Sequence, residues 1–337
     1  MNKRLRVILQ YIIFFSLGAF FAWLSLRNLD KEKIGQIKAA IRDARHWLII
    51  PVFAILFLSH FIRSLRWRVL IEPLGYKPSR ANTFFAVMIG YMTNQALPRV
   101  GEVLKCTVLG RYEKIPVDKL IGTVILERMV DAITLLVVFG ITLAIQPQLY
   151  SQLVDAIFHS SGEKDEKTIS GGLVMIMLFV IILIITAIWM IRKKKNFHDL
   201  LKLIRDVWRH IIQGIISIRH LKKRGLFIFL SIALWTCYLL GGWIGFMALQ
   251  ETEQYGIKEA FTVLSAGSIG MVVSPGGIGM YAYLIQQVMQ IYHLNTAIAI
   301  AFGWILWMVQ TAVILIGGLI SFVAIPYYNK RRLSEPF

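Results

Sequence analysis

Apolar residues in this chain come in long blocks divided by short basic segments. A helix that crosses a bilayer takes about 20 consecutive, mostly apolar residues. Blocks of that kind occupy 7–26, 47–70, 119–145, 171–191, 225–249 and 298–325, and each predicts a spanning helix. The first block follows Lys3, Arg4 and Arg6, the charge pattern of a secretory signal. It is long for a signal, and Ala22-Trp23-Leu24-Ser25-Leu26 has no small-x-small cleavage site, so an uncleaved anchor is the expectation.

Two further apolar stretches are interrupted. One, 81–110, breaks at Asn94-Gln95-Ala96-Leu97-Pro98-Arg99-Val100-Gly101-Glu102. The other, 259–292, breaks at Ser274-Pro275-Gly276-Gly277-Ile278-Gly279. Proline removes a backbone donor and glycine releases the backbone from helical angles. In lipid such a break needs shelter by protein or by a water-filled cavity. Both stretches therefore predict re-entrant helical hairpins shaped by Pro98, Gly101, Pro275, Gly276, Gly277 and Gly279. Span, hairpin, span recurs in the same order over about 47–145 and about 225–325, with the two hairpins entering from opposite sides. That is an inverted-topology repeat, a pattern of secondary transporters. The expected fold is all-α and polytopic, one transmembrane domain over 1–337, with six full spans and two re-entrant hairpins.

Segment 196–220 differs. Leu200, Ile204, Val207, Trp208, Ile211, Ile215 and Ile218 recur at helical spacing among Lys202, Arg205, Arg209 and Arg219. With its flanks it makes 192–224 a basic amphipathic segment, suited to an anionic membrane surface or to packing on the protein's own loops. Segment 27–46 also fits a helix at the interface. The stretch 159–170, rich in Ser, Gly, Glu and Lys, reads as a loop.

Composition agrees. Of 337 residues 57% are hydrophobic and 17% charged, with a mean hydropathy of +0.63. Soluble domains run about 45–50% apolar and about 25% charged. The net charge of +18 implies an anionic partner, and the apolar blocks assign that anion to membrane lipid rather than nucleic acid. With the N-terminus in the cytoplasm and each hairpin returning to its own side, cytoplasmic segments hold 25 Lys and Arg and outer segments 9. The positive-inside rule thus favours cytoplasmic N- and C-termini. Two full spans per hairpin would give the same parity. Cys106 and Cys237 lie far apart within apolar blocks, with no disulfide framework.

Ionisable residues at membrane depth cost roughly 2.5–3.5 kcal/mol each and are functional candidates. The first break holds Arg99, Glu102 and Lys105; the next span carries Glu127, Arg128 and Asp131. Glu127 and Asp131, four apart, share a helix face, and Arg128 is offset by about 100°. Pairing of Glu102 or Glu127 with Arg99 or Arg128 would lock hairpin to span, or would open to admit a phosphate. Arg63, Arg66, Trp67 and Arg68 end the second span, either as a cytoplasmic anchor or as a phosphate-binding lip. Asn94 and Gln95 could satisfy freed backbone groups or touch a head group. The second break has no charge; its amides before 280–292 suit an anion or belong to a sheltered turn. P-loop, zinc-protease, nucleophile-elbow and calcium-loop motifs are absent, and no two of the seven histidines stand at ligand spacing. No metal, cofactor or catalytic residue is expected.

Taken in order, Arg63-x-x-Arg66-Trp67, Asn94-x-x-Leu97-Pro98-Arg99-x-Gly101-Glu102-x-x-Lys105, Glu127-Arg128-x-x-Asp131 and Ser274-Pro275-Gly276-Gly277-Ile278-Gly279 resemble the transmembrane, flippase-like region of lysylphosphatidylglycerol synthases. The resemblance covers nearly the whole chain. It implies a multi-pass protein of a bacterial inner membrane that moves phospholipid or another lipid-linked anion between leaflets. In the synthases a separate soluble domain attaches the amino acid. The chain ends at Phe337, soon after the last span, so aminoacyl transfer is not expected of it and it reads as a stand-alone member. Lys105 stands where the family usually has Arg. Ala282 stands where it often has Glu, and Gly303-Trp304 where it has an Arg in the last span. The loss of charge in the second half argues against a proton- or ion-coupled step there. The candidate head-group residues are Arg66, Asn94, Arg99, Glu102, Lys105, Glu127, Arg128 and Asp131. A membrane enzyme acting on a lipid phosphate or lipid-linked sugar, and a non-transporting partner of a lipid-modifying enzyme, are the alternatives. Oligomeric state is left open.

Overall fold

The computed structural model describes residues 3–27, 29–97, 99–147 and 221–334, and all their regular structure is helical. The expected span 171–191, the loop 159–170, residues 192–220 of the basic segment and Pro98 lie outside the described residues. Ten α-helices follow in order: α1 (Lys3–Leu26), α2 (Lys31–Asp43), α3 (Ile49–Ile71), α4 (Arg80–Ala96), α5 (Val100–Glu113), α6 (Val117–Ile145), α7 (Arg224–Phe246), α8 (Ile257–Val273), α9 (Met280–Ile291) and α10 (Thr296–Ser334). Among the described residues, four helical stretches are long and apolar enough to cross a membrane: His46–Leu74, Val117–Ile145, Arg224–Phe246 and Thr296–Lys330.

Local chemistry sets the ends. Asp30 caps α2 by accepting from the Lys33 amide at 2.8 Å. Ser79 caps α4 by accepting from the Asn82 amide at 3.0 Å. The Glu259 carboxylate reaches back to the Gly256 amide at 2.8 Å and starts α8. The α5 helix stops at Lys114, at φ 55°, just ahead of Pro116.

Helices α4 and α5 pack against each other as an antiparallel hairpin. Gly90 and Gly101 let them touch: a Cβ on Gly90 would fall 2.8 Å from the Gly101 carbonyl oxygen. The open end is fastened by Glu113, which accepts from the Ser79 amide at 3.1 Å and from Asn82 Nδ2 at 2.6 Å. Helices α8 and α9 form the second hairpin, closed at its open end where the Tyr255 hydroxyl donates to the Tyr292 carbonyl at 3.1 Å. At about 1.5 Å per residue, the 17 and 14 residues of α4 and α5 and the 17 and 12 of α8 and α9 each fall short of a bilayer core about 30 Å thick.

The hairpins open on opposite faces of the bundle. The first opens beside the Glu72–Lys223 ion pair and the Asn82–Asn329 amide pair. The second opens beside the Arg45–Glu253 ion pair. Their tips meet in the interior. Gln95, at the end of α4, packs so closely on Gly276 that a Cβ there would overlap its Oε1, and φ +57° at Gly276 also favours glycine. Trp307 on α10 donates to the Gly276 carbonyl at 2.9 Å. Helix α1 covers the second break from outside, with Gly18 and Ala22 against Gly279.

Packing between the halves is reciprocal. The leading helices α3 and α7 make the most extensive interhelical contact. The closing helix of each half, α6 or α10, packs on the first hairpin arm of the other, α8 or α4. Outward faces carry large apolar side chains such as Ile50, Leu136, Phe229, Val272 and Phe322.

Candidate functional site

The charged residues of the first half converge where α3, α5 and α6 meet. Arg63 and Arg66, one turn apart on α3, point into the bundle with Trp67, and all three are buried. They face Glu127 and Asp131, whose spacing puts both carboxylates on one side of α6. Arg63 Nη1 reaches Asp131 Oδ2 at 2.7 Å and Glu127 Oε1 at 3.5 Å. Arg66 Nη2 reaches Asp131 Oδ1 at 2.7 Å and Glu127 Oε1 at 3.3 Å. Lys105 enters from α5 and donates to Glu127 Oε2 at 2.9 Å. Glu127 has no exposed surface and is shared by three cations.

Aromatic residues line the cluster. The Lys105 ammonium sits 4.6 Å from the Trp67 ring centroid, and the Trp67 indole donates to Thr123 at 2.8 Å. Arg63 donates to the Tyr238 hydroxyl of α7 at 2.9 Å. Its guanidinium and that of Arg128 lie 5.4 and 5.9 Å from the Tyr91 ring centroid. Burial in this dry, aromatic surrounding is tolerable only because the charges are paired.

Arg128 and Glu102 form an outer pair, Nε to Oε1 at 3.0 Å, beside a cleft lined by Tyr91, Asn94, Gly101, Glu102, Lys105 and Arg128. The cleft is closed to anything the size of a water molecule. It lies at the tip of the first hairpin, over the break. Four cations (Arg63, Arg66, Lys105, Arg128) and three carboxylates (Glu102, Glu127, Asp131) make the network, leaving an excess of one positive charge. Buried donors also remain without hydrogen-bond partners: Arg63 Nε, Arg66 Nε and Arg66 Nη1.

Six of the candidate residues thus share one site: Arg66, Glu102, Lys105, Glu127, Arg128 and Asp131. Asn94 lines the cleft, and its Oδ1 accepts from the Gly101 amide at 2.8 Å, which caps the start of α5. Arg99 is exposed at φ 69°, preceding α5, and makes no ion pair with a described residue. Of the pairings left open in the sequence, Glu102 or Glu127 with Arg99 or Arg128, the fold makes Glu102 with Arg128; Glu127 pairs instead with Arg63, Arg66 and Lys105. Arg63 joins the core of the site, where the sequence offers a span-end anchor or a lip. The signal was present in the Arg63, Arg66 spacing, which makes a cationic face to match the Glu127, Asp131 face.

The second break is a packed turn. The amides of Gly277, Ile278 and Met280 donate to Ser274, Pro275 and Ile278 carbonyls, so these donors are spent within the turn. In the second half Gly303 presses on Ala282: a Cβ at Gly303 would fall 2.6 Å from the Ala282 carbonyl oxygen. Small residues bring α9 and α10 together here. Nearby, the Ser25 hydroxyl donates to Gln286 at 2.7 Å. Among the described residues no group of His, Cys, Asp and Glu is arranged to hold a metal ion.

Comparison with known proteins gives a consistent placement. A UPF0104 membrane protein of Methanocaldococcus jannaschii is 32% identical over 127 residues, which is 37% of this chain and 35% of that protein. The chain thus aligns with about a third of the length of the curated relative it matches. No solved structure matches it. The family model for the lysylphosphatidylglycerol synthase TM region matches residues 7–318, and the chain belongs to that family of membrane proteins.

Proposed function

We propose that this protein is a lipid translocator, without enzymatic activity of its own, that moves a phospholipid or another lipid-linked anion between the leaflets of a bacterial inner membrane. The observation that carries the reading is the charge network at the meeting point of two hairpins that open on opposite faces. A head group crossing a bilayer needs a polar station near the midplane, while acyl chains stay in lipid. The network supplies one: a net excess of one positive charge, with unpartnered Arg63 and Arg66 donors suited to phosphate oxygens. The short hairpin arms support re-entrant hairpins. The reciprocal packing of the two halves supports an inverted repeat that alternates access around the site. The basic faces at Arg68, Lys77, Arg80 and Lys222 to Arg224 support a cytoplasmic location for that side and for both termini.

Leaflet exchange in proteoliposomes of the purified full chain tests this, with fluorescent anionic and zwitterionic phospholipids in separate vesicles. The proposal expects exchange well above protein-free vesicles for the anionic lipid. Product formation from a lipid phosphate or lipid-linked sugar, without exchange, would replace it with a membrane enzyme.

A further inference from the structure

Resting on that reading, we propose that Glu102 is a built-in stand-in for the substrate anion. Its carboxylate holds Arg128 in the closed site, and a singly charged phosphodiester head group takes Arg128 from it.

The site has two tiers. The inner side chains, Arg63, Arg66, Lys105, Glu127 and Asp131, are at most 14% exposed, and each inner carboxylate is shared by two or more cations. The outer pair is different: Arg128 is 38% and Glu102 32% exposed, and Arg128 is the one cation within ion-pair distance of Glu102 among the described residues. That contact is close but poorly aligned, since Arg128 Nε lies 3.0 Å from Glu102 Oε1 and makes no hydrogen bond. Arg128 does not need Glu102 to stay in place. Its Nη2 donates to the Tyr91 hydroxyl of α4 at 3.0 Å, and the Tyr91 ring lies beneath the guanidinium. Glu102 in turn does not need Arg128. It sits in the first turn of α5, where the helix dipole favours a carboxylate. A guanidinium fixed from one side and a carboxylate with a second source of stability make an exchangeable pair.

Charge sets what can exchange. Released from Arg128, the Glu102 carboxylate stays on the first turn of α5 beside the site, so four cations and three carboxylates still count and one further negative charge makes the network neutral. A phosphodiester supplies one. A phosphomonoester carries about −1.5 to −2 near pH 7 and would leave a surplus of negative charge in a buried site. The head group selected is therefore a phosphodiester, and Glu102 sets how tightly it is held, because each binding event must displace it.

The test uses the full-length purified chain in detergent, titrated with short-chain phosphatidylglycerol (a phosphodiester) and short-chain phosphatidate (a phosphomonoester). Ligand binding is read as a rise in thermal unfolding midpoint. In Glu102→Gln, close in shape but uncharged, the half-saturating phosphatidylglycerol concentration falls about fivefold. In Arg128→Ala saturation is lost. The unmodified protein takes phosphatidylglycerol more tightly than phosphatidate. Glu102→Ser serves as the second variant should Gln lower the unliganded midpoint. Unchanged or weakened phosphatidylglycerol binding in both Glu102 variants overturns the inference, as does the absence of saturable binding to every protein. Tightened binding in proteins that exchange no lipid would overturn translocation and leave the stand-in role of Glu102 intact.

Discussion

Replacing Glu127 by Gln should be among the most damaging conservative changes in this protein. The carboxylate has no exposed surface and lies 2.9 Å from Lys105, 3.3 Å from Arg66 and 3.5 Å from Arg63. Gln keeps the shape and one acceptor but leaves Arg63 and Arg66 with Asp131 alone and leaves the buried Lys105 ammonium without a carboxylate among the described residues. Removing one partner of a buried ion pair costs about 3–5 kcal/mol, because the charge left behind remains desolvated. For a chain of this size, roughly 2 °C of unfolding midpoint per kcal/mol translates that into a fall of roughly 6–10 °C. Thermal unfolding of the purified protein in one detergent, followed by tryptophan emission, measures it. The double change Glu127→Gln with Lys105→Met removes a buried cation together with its carboxylate. It should recover at least about 1 kcal/mol relative to the sum of the single changes. A Glu127→Gln protein as stable as its parent, or strict additivity with Lys105→Met, would refute the claim that this carboxylate organises the cluster.

Other consequences follow from single contacts. Asn94→Ala removes the acceptor of the Gly101 amide; thermal unfolding should report a loss of about 1 kcal/mol, and Asn94→Asp should restore most of it. Gly276→Ala puts a methyl group onto Gln95 Oε1 at a positive φ, so more than about 1 kcal/mol should be lost, with partial recovery when Gln95→Ala is added. Asn329→Leu leaves the buried Asn82 side chain short of both a donor and an acceptor; a loss of about 1–3 kcal/mol is expected on the same assay. In a protein lacking both native cysteines, a cysteine at Lys77 and one at Glu253 should be labelled by membrane-impermeant maleimide from opposite sides of sealed vesicles. Labelling of both from one side would contradict the placement of the hairpin mouths.

Helix existence was legible along the described chain because apolar length and Pro/Gly punctuation are local signals. The stretch 47–70 became α3 at Ile49–Ile71, and 119–145 became α6 at Val117–Ile145. Each interrupted stretch became two short helices around the expected break. Most of the charged residues that meet in the network were legible too, since charge inside an apolar block is conspicuous, but Arg99 stands apart from it and Arg63 read as an anchor or a lip. The pairing was not legible. Arginines at the end of a span carry the same sequence signature whether they snorkel to the interface or turn inward. Only the approach of α6 to α3 decides between these, and that is a tertiary fact. For Arg63 and Arg66 it selects the inward orientation. The contact of Gln95 with Gly276 joins residues 181 positions apart in the numbering and has no local signal. The amides of the second break looked free in the sequence; in the fold the turn itself takes up those of Gly277, Ile278 and Met280.

Leaflet exchange of a fluorescent phosphatidylglycerol in proteoliposomes, comparing the unmodified protein with Arg128→Ala, tests the central claim most directly. Arg128 is half-exposed and at the edge of the network, so its loss should spare folding, which the unfolding midpoint checks. The account predicts rapid exchange by the unmodified protein and exchange near the protein-free rate for Arg128→Ala. Equal exchange by a well-folded Arg128→Ala protein would contradict it.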